Sequence, residues 1–229
     1  MSGASFREVD LSRSVMRGVM LADADIDGYI VGLKINGVEV APLIEAELDR
    51  LHPERLSLRG TDVAGLRAGW EVIERFWAET MARAAGLPEA DLHRSVGGEW
   101  SLAETLRHLV FVTDSWLGHA VLAEERPFHP IGLPASFIID GEDFGIDPGA
   151  APTFDEVVAA RADRLDRVRA FLAALGTEDV DRPCGPNPAP GWPPPAERTV
   201  VSCLHVIFSE EWAHHQFAIR DLAVIERRE

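Results

Sequence analysis

Four long stretches in the second part of this chain repeat their apolar residues every three or four positions, and no strand-rich region competes with them. That period commits this part of the chain to packed helices. The first stretch runs from about Asp62 to Ala85 through Val63, Leu66, Trp70, Ile73, Trp77 and Met81, with Asp62 as its N-cap. Gly86, Leu87 and Pro88 stop it. The second starts at Ser101, with Glu104 three residues on as a capping box, and runs to about Glu124 through Leu102, Leu106, Leu109, Thr113, Trp116 and Leu117. The third runs from about Phe154 to Leu175, and the fourth from about Thr199 to Ile225. Two Pro-rich connections, 126–152 and 182–198, join them, and the first reads as a long surface crossover. The fold class expected for residues 61–229 is therefore all-α, a four-helix bundle with long crossover loops.

The first 34 residues follow another period. Phe6, Leu11, Met16, Leu21, Ile26 and Val31 are apolar at intervals of five, each preceded two positions earlier by a mostly small residue. A repeat of five stacks as a square-sided right-handed coil, which makes residues 1–34 a short pentapeptide-repeat-like β-coil segment; the alternative is an irregular apolar arm. The stretch resembles the pentapeptide-repeat family most closely at "ADADIDG" around Ile26. Residues 35–60 connect the two parts, with an Asn-Gly turn at Asn36 and a short helix from about Pro42 to Leu51.

Charge narrows the partners. The formal net charge is −16 over 229 residues. An acidic surface of that size repels nucleic-acid phosphates and anionic lipid, so neither nucleic acid nor membrane is expected as a direct partner. No apolar run is long enough to span a bilayer. The two cysteines, Cys184 and Cys203, form no CxxC, which fits a reducing, cytoplasmic setting.

The chemistry concentrates on the last helix. On a wheel of about 100° per residue, Val201, Leu204, Phe208, Glu211, Trp212, Ile219 and Leu222 share one apolar side with His215. A carboxylate there costs several kcal/mol unless it is paired or bound to a metal. A Glu and a His four residues apart can grip one metal ion from one side. The competing reading pairs Glu211 with an arginine, Arg161 of the third helix being placed for it, and leaves His215 as a core histidine with a hydrogen-bond partner. His205 and His214 lie off the stripe, as flanking residues. On the second helix His108 has an apolar side through Phe111 and Val112.

The segments "GEWSLAETLRHLVFVTDSWL" at 98–117 and "CLHVIFSEEWAHHQFAIRDL" at 203–222 resemble the second-helix and last-helix motifs of the DinB superfamily. The resemblance covers about residues 62–225 and implies a metal held by His108, Glu211 and His215. Most DinB-like proteins use three histidines; the Glu is similar instead to the mycothiol-dependent maleylpyruvate isomerase branch, where His, Glu and His hold zinc. Two imidazoles and a carboxylate suit Zn2+, and also Ni2+, Fe2+ or Mn2+. Three protein ligands leave a position open, as in catalytic sites. The resemblance implies a thiol-dependent transferase or isomerase, in which a low-molecular-weight thiol of the mycothiol type attacks a small-molecule electrophile. The alternatives are a metal-dependent hydrolase and a non-catalytic metal-binding or interaction protein. His214, Asp114 and Ser115 are candidates to support the ligands by hydrogen bonds, Arg107 and Arg220 read as a solvated helix face with a carboxylate of thiol or substrate as the alternative partner, and Cys203 is expected to be a small core residue. Relatives of this kind often pair through helix faces, and the many Trp residues allow a homodimer without requiring one.

Overall fold

A computed structural model of the chain describes residues 3–6 and 9–227. It divides into two compact units, residues 1–51 and 52–229.

In the first unit the backbone repeats every five residues. Gly3, Arg13, Gly18, Asp23 and Gly28 all take positive φ, and turns close from the Ser14 N–H to the Leu11 carbonyl and from the Ala24 N–H to the Leu21 carbonyl, each 3.1 Å. Residues 1, 2, 7 and 8 of the segment lie outside the described residues. Among the described residues no strand precedes Lys34–Ile35, so the turns recur without the ladders of the expected β-coil. Strands β1 (Lys34–Ile35) and β2 (Val38–Glu39) form an antiparallel hairpin. Its turn residues Asn36 and Gly37 both have positive φ, which is why Asn-Gly suits a two-residue hairpin. Helix α1 (Ala41–Leu51) follows.

The second unit is all-α. A 3-10 stretch (Pro53–Arg59) leads into α2 (Val63–Ala84) and the single turn α3 (Glu89–Leu92). Then come α4 (Leu102–Thr113), α5 (Phe154–Ala174) and α6 (Val200–Glu226). A two-residue pair, β3 (Pro183–Cys184) with β4 (Arg198–Thr199), closes the last long loop. The caps act as their residue types dictate. Asp62 accepts the Gly65 N–H, and Ser101 with Glu104 and Thr153 with Glu156 close full capping boxes.

Helices α2 and α4 each pack on both α5 and α6, so α5 and α6 stand at opposite corners of a four-helix bundle. Leu66, Ile73, Leu109, Val168, Leu204 and Phe208 lie in its core. The 3-10 stretch lies tight on α2, because a Cβ on Gly69 would sit 2.6 Å from the Ser57 carbonyl oxygen.

Two features depart from regular expectation. After Thr113 the second bundle helix widens into a π-helix over Asp114–Val121, a form that recurs at functional sites. The connection 126–152 is not a plain surface loop. Phe128, Ile138, Phe144 and Ile146 fold under around Phe111 and make a small apolar cluster of their own. The apolar residues of this segment, hidden among Pro and Gly, supply a core that periodicity does not reveal. Among the described residues no helix is long and apolar enough to cross a membrane.

Candidate metal centre

The structure does not bring His108 together with Glu211 and His215. It brings His108 together with Glu210 and His214, whose potential ligand atoms all lie within 4.8 Å of one another. One Glu210 oxygen, Oε2, stands 3.5 Å from His108 Nε2 and 3.2 Å from His214 Nε2. The two imidazole centroids are 4.6 Å apart. Glu210 and His214 sit four apart on α6, one turn above the other, and α4 supplies His108 from the side.

The residues one position on have other partners. Glu211 is fully buried and takes Arg161 Nη2 on both carboxylate oxygens, at 2.5 and 2.6 Å. Burial pushes the Glu211 carboxyl up, and the Arg161 charge and hydrogen bonds oppose that. His215 Nε2 lies 2.8 Å from the Thr80 hydroxyl, and its ring packs against Phe76 and edge-on to Trp77. Burial pushes the His215 imidazole down to about 4, so it is a neutral core residue at physiological pH. The wheel places Glu211 and His215 on the buried side correctly, and it is the core that satisfies them.

The orientation of His108 is set from behind. Its Nδ1 is 2.9 Å from the Leu133 carbonyl oxygen. A carbonyl has no proton to give, so Nδ1 carries a hydrogen, and Nε2 is the ring atom turned toward Glu210. Burial pushes the Glu210 carboxyl up, but the contacts with His108 and His214 outweigh it and hold the group down at about 2. An anionic oxygen thus faces two imidazole nitrogens, an arrangement satisfied either by protons on the rings or by one cation shared among the three. The spacing fits one: ligand atoms about 2.1 Å from a tetrahedral ion lie about 3.4 Å apart. Trp100 covers both rings, stacked on His214 at 5.8 Å and 20° and tilted over His108 at 4.7 Å.

The remaining expected site residues are placed as follows. Asp114 is buried against Arg164 and the His129 N–H, away from the trio. Ser115 is buried with no hydrogen-bond partner for its hydroxyl among the described residues. Arg107 donates to the Ile131 carbonyl, and Arg220 pairs with Asp221 beside Phe217. His205 donates to the Gly60 carbonyl, and Cys203 is fully buried. Reading along the sequence misses Glu210, His214 and Trp100 as partners. The missed signal is accessibility. Glu210 and His214 are half-buried at the edge of the apolar stripe, whereas Glu211 and His215 are buried at its centre.

Comparison with known proteins agrees with this architecture. No curated protein and no solved structure matches the chain. The family model described as the DinB superfamily matches residues 73–218, from α2 through most of α6, and that span contains His108, Glu210 and His214. The match takes in more than half of the chain, and on that ground the chain belongs to the DinB superfamily.

Proposed function

We propose that His108, Glu210 and His214 bind one divalent metal ion, zinc foremost, and that the protein is an enzyme using that ion to activate a low-molecular-weight thiol of the mycothiol type for transfer to, or isomerisation of, a small electrophile. The observation that carries the metal assignment is the trio's geometry: Glu210 Oε2 stands 3.5 Å from His108 Nε2 and 3.2 Å from His214 Nε2, with the His108 ring held from behind by the Leu133 carbonyl. Two imidazoles and one carboxylate are borderline donors that suit Zn2+, with Ni2+, Fe2+ and Mn2+ as competitors. Such an ion, when bound, lowers the pKa of a coordinated thiol and so supplies a nucleophile at neutral pH. The chain's own groups do the rest. Glu210 brings the negative charge, the imidazoles hold the geometry, and Trp100 walls one side of the site. The thiol assignment is supported by the resemblance of the His, Glu, His donor set to the mycothiol-dependent branch of the superfamily and by the position that three ligands leave open.

A second reading, a metal-binding protein that docks a partner without turnover, is favoured by the N-terminal unit. There Met20 is 95% and Tyr29 91% exposed.

The deciding experiment is metal content by mass spectrometry on protein purified without a histidine tag. The expected result is about one equivalent of a first-row metal in the wild type, lost in Glu210→Gln and His214→Ala and kept in Glu211→Gln. A wild type that takes up no metal after reconstitution with Zn2+ and Ni2+ would mean that only a proton bridges Glu210 and the imidazoles, and the reading fails. A metal-loaded protein that turns over no thiol with a fluorogenic model electrophile favours the docking reading.

A further inference from the structure

The connection 126–152 meets the candidate metal centre at the Leu133 carbonyl, which accepts from His108 Nδ1. What fixes that carbonyl is the residue just before His108. The Arg107 guanidinium donates its Nε–H to the Ile131 carbonyl at 2.8 Å, and the Arg107 backbone carbonyl accepts the Leu133 N–H at 3.2 Å. Arg107 therefore grips the loop on both sides of Gly132. The turn between these points is itself closed by the Gly132 N–H on the His129 carbonyl at 2.9 Å. It lies hard on α4, since a Cβ on Gly132 would come within 3.5 Å of Phe111 Cβ. The far end is anchored independently by the His129 N–H on Asp114 Oδ2 at 2.8 Å.

We infer that Arg107 is a positioning residue for the metal centre: by clamping residues 131–133 it holds the Leu133 carbonyl against His108 Nδ1 and so presents Nε2 to the ion. This rests on the metal reading of His108, Glu210 and His214. Arg107 is not one of the three candidate ligands. It acts through the loop and then through the tautomer and ring angle of His108. Partners of this outer kind typically matter 10–100-fold in metal affinity, by about that order. The inference also gives the loop a defined task, with the Arg107 Nε–H engaged by the chain itself.

The test uses the full chain and two readouts. The first is the ring of His108 in the metal-free protein, by nitrogen-15 NMR, where the hydrogen-bonded Nδ1–H gives a slowly exchanging proton. The second is Zn2+ affinity by chelator competition. Arg107→Ala should lose or broaden the Nδ1–H signal and weaken Zn2+ binding about tenfold or more, and Arg107→Lys, which keeps a donor, should restore part of both. Arg107→Met keeps the aliphatic stem and carries the same reading should the alanine variant not fold. An Nδ1–H signal and a Zn2+ affinity both unchanged in the variant would overturn the inference. A wild type that binds no Zn2+ would instead overturn the metal reading, and the NMR signal separates the two failures.

Discussion

Arg161 of α5 and Glu211 of α6 join opposite corners of the bundle through its buried interior, one guanidinium nitrogen lying 2.5 and 2.6 Å from the two carboxylate oxygens. The pair is the reason a carboxylate can sit at zero exposure beside Glu210 of the candidate metal centre without joining it. It is also imperfect. Nη1 of Arg161 is buried with no hydrogen-bond partner among the described residues. A buried pair of this kind returns little net stability, whereas breaking it strands a charge.

The consequence for mutation is asymmetric. Arg161→Met leaves Glu211 buried alone and should cost about 3–5 kcal/mol, read as a lowered urea midpoint. Arg161→Met combined with Glu211→Leu should recover most of that loss, because no orphan charge remains. The double variant should still bind metal through His108, Glu210 and His214. A double variant as unstable as the single one would show that the pair contributes more than mutual neutralisation.

The two thiols predict an alkaline weakness. Burial pushes Cys203 from 9.0 up to about 11, and burial raises Cys184 as well. In the unfolded chain Cys203 ionises near 9.0, while in the fold it stays protonated. Over that interval the folded state binds more protons than the unfolded one. Stability contributed by the neutral thiol is fully present below 9.0 and is lost as pH rises toward about 11. The slope is about 1.4 kcal/mol per pH unit for one such group. Urea titrations across this range should show the decline, and Cys203→Ala should flatten it. An equal slope in the variant would assign the loss to other groups. The same burial predicts that Cys203 reacts with thiol reagents only once the chain unfolds.

The bundle was legible because each helix announces itself twice, by a 3.6-residue apolar stripe and by a cap such as Ser101 with Glu104. His108 was legible through the same stripe. The other two residues of the candidate trio stand one position before the pair that the stripe picks out, for a physical reason. Glu210 with His214 and Glu211 with His215 are both i, i+4 pairs, so spacing cannot separate them. The apolar stripe identifies the more buried pair, and burial alone says that Glu211 needs a partner without saying which. Arg161, named from its place on the third helix as the competing partner, is the one that the structure pairs with Glu211; periodicity proposes that pair but does not choose between it and a metal. The Leu133 carbonyl behind His108 was invisible for a related reason: a backbone acceptor in a loop has no residue type to mark it. The N-terminal period of five shows in the backbone as turns at Arg13, Gly18 and Asp23, but side-chain spacing says nothing about whether neighbouring rungs pair as strands.

The two units predict separable folding. Every buried residue of the main core, from Leu58 to Leu222, belongs to residues 52–229, as do His108, Glu210 and His214. A unit that contains its own core and both capped helices of the metal centre has what it needs to fold alone. Residues 52–229 expressed without the first 51 should therefore show a single cooperative unfolding transition, and helical circular dichroism should account for α2, α4, α5 and α6. The truncated protein should take up metal with the affinity of the full chain. If it folds but loses the metal, the N-terminal unit takes part in the site. If it aggregates or unfolds broadly, the first unit covers apolar surface of the bundle, and the division at Leu51 is not one of folding units.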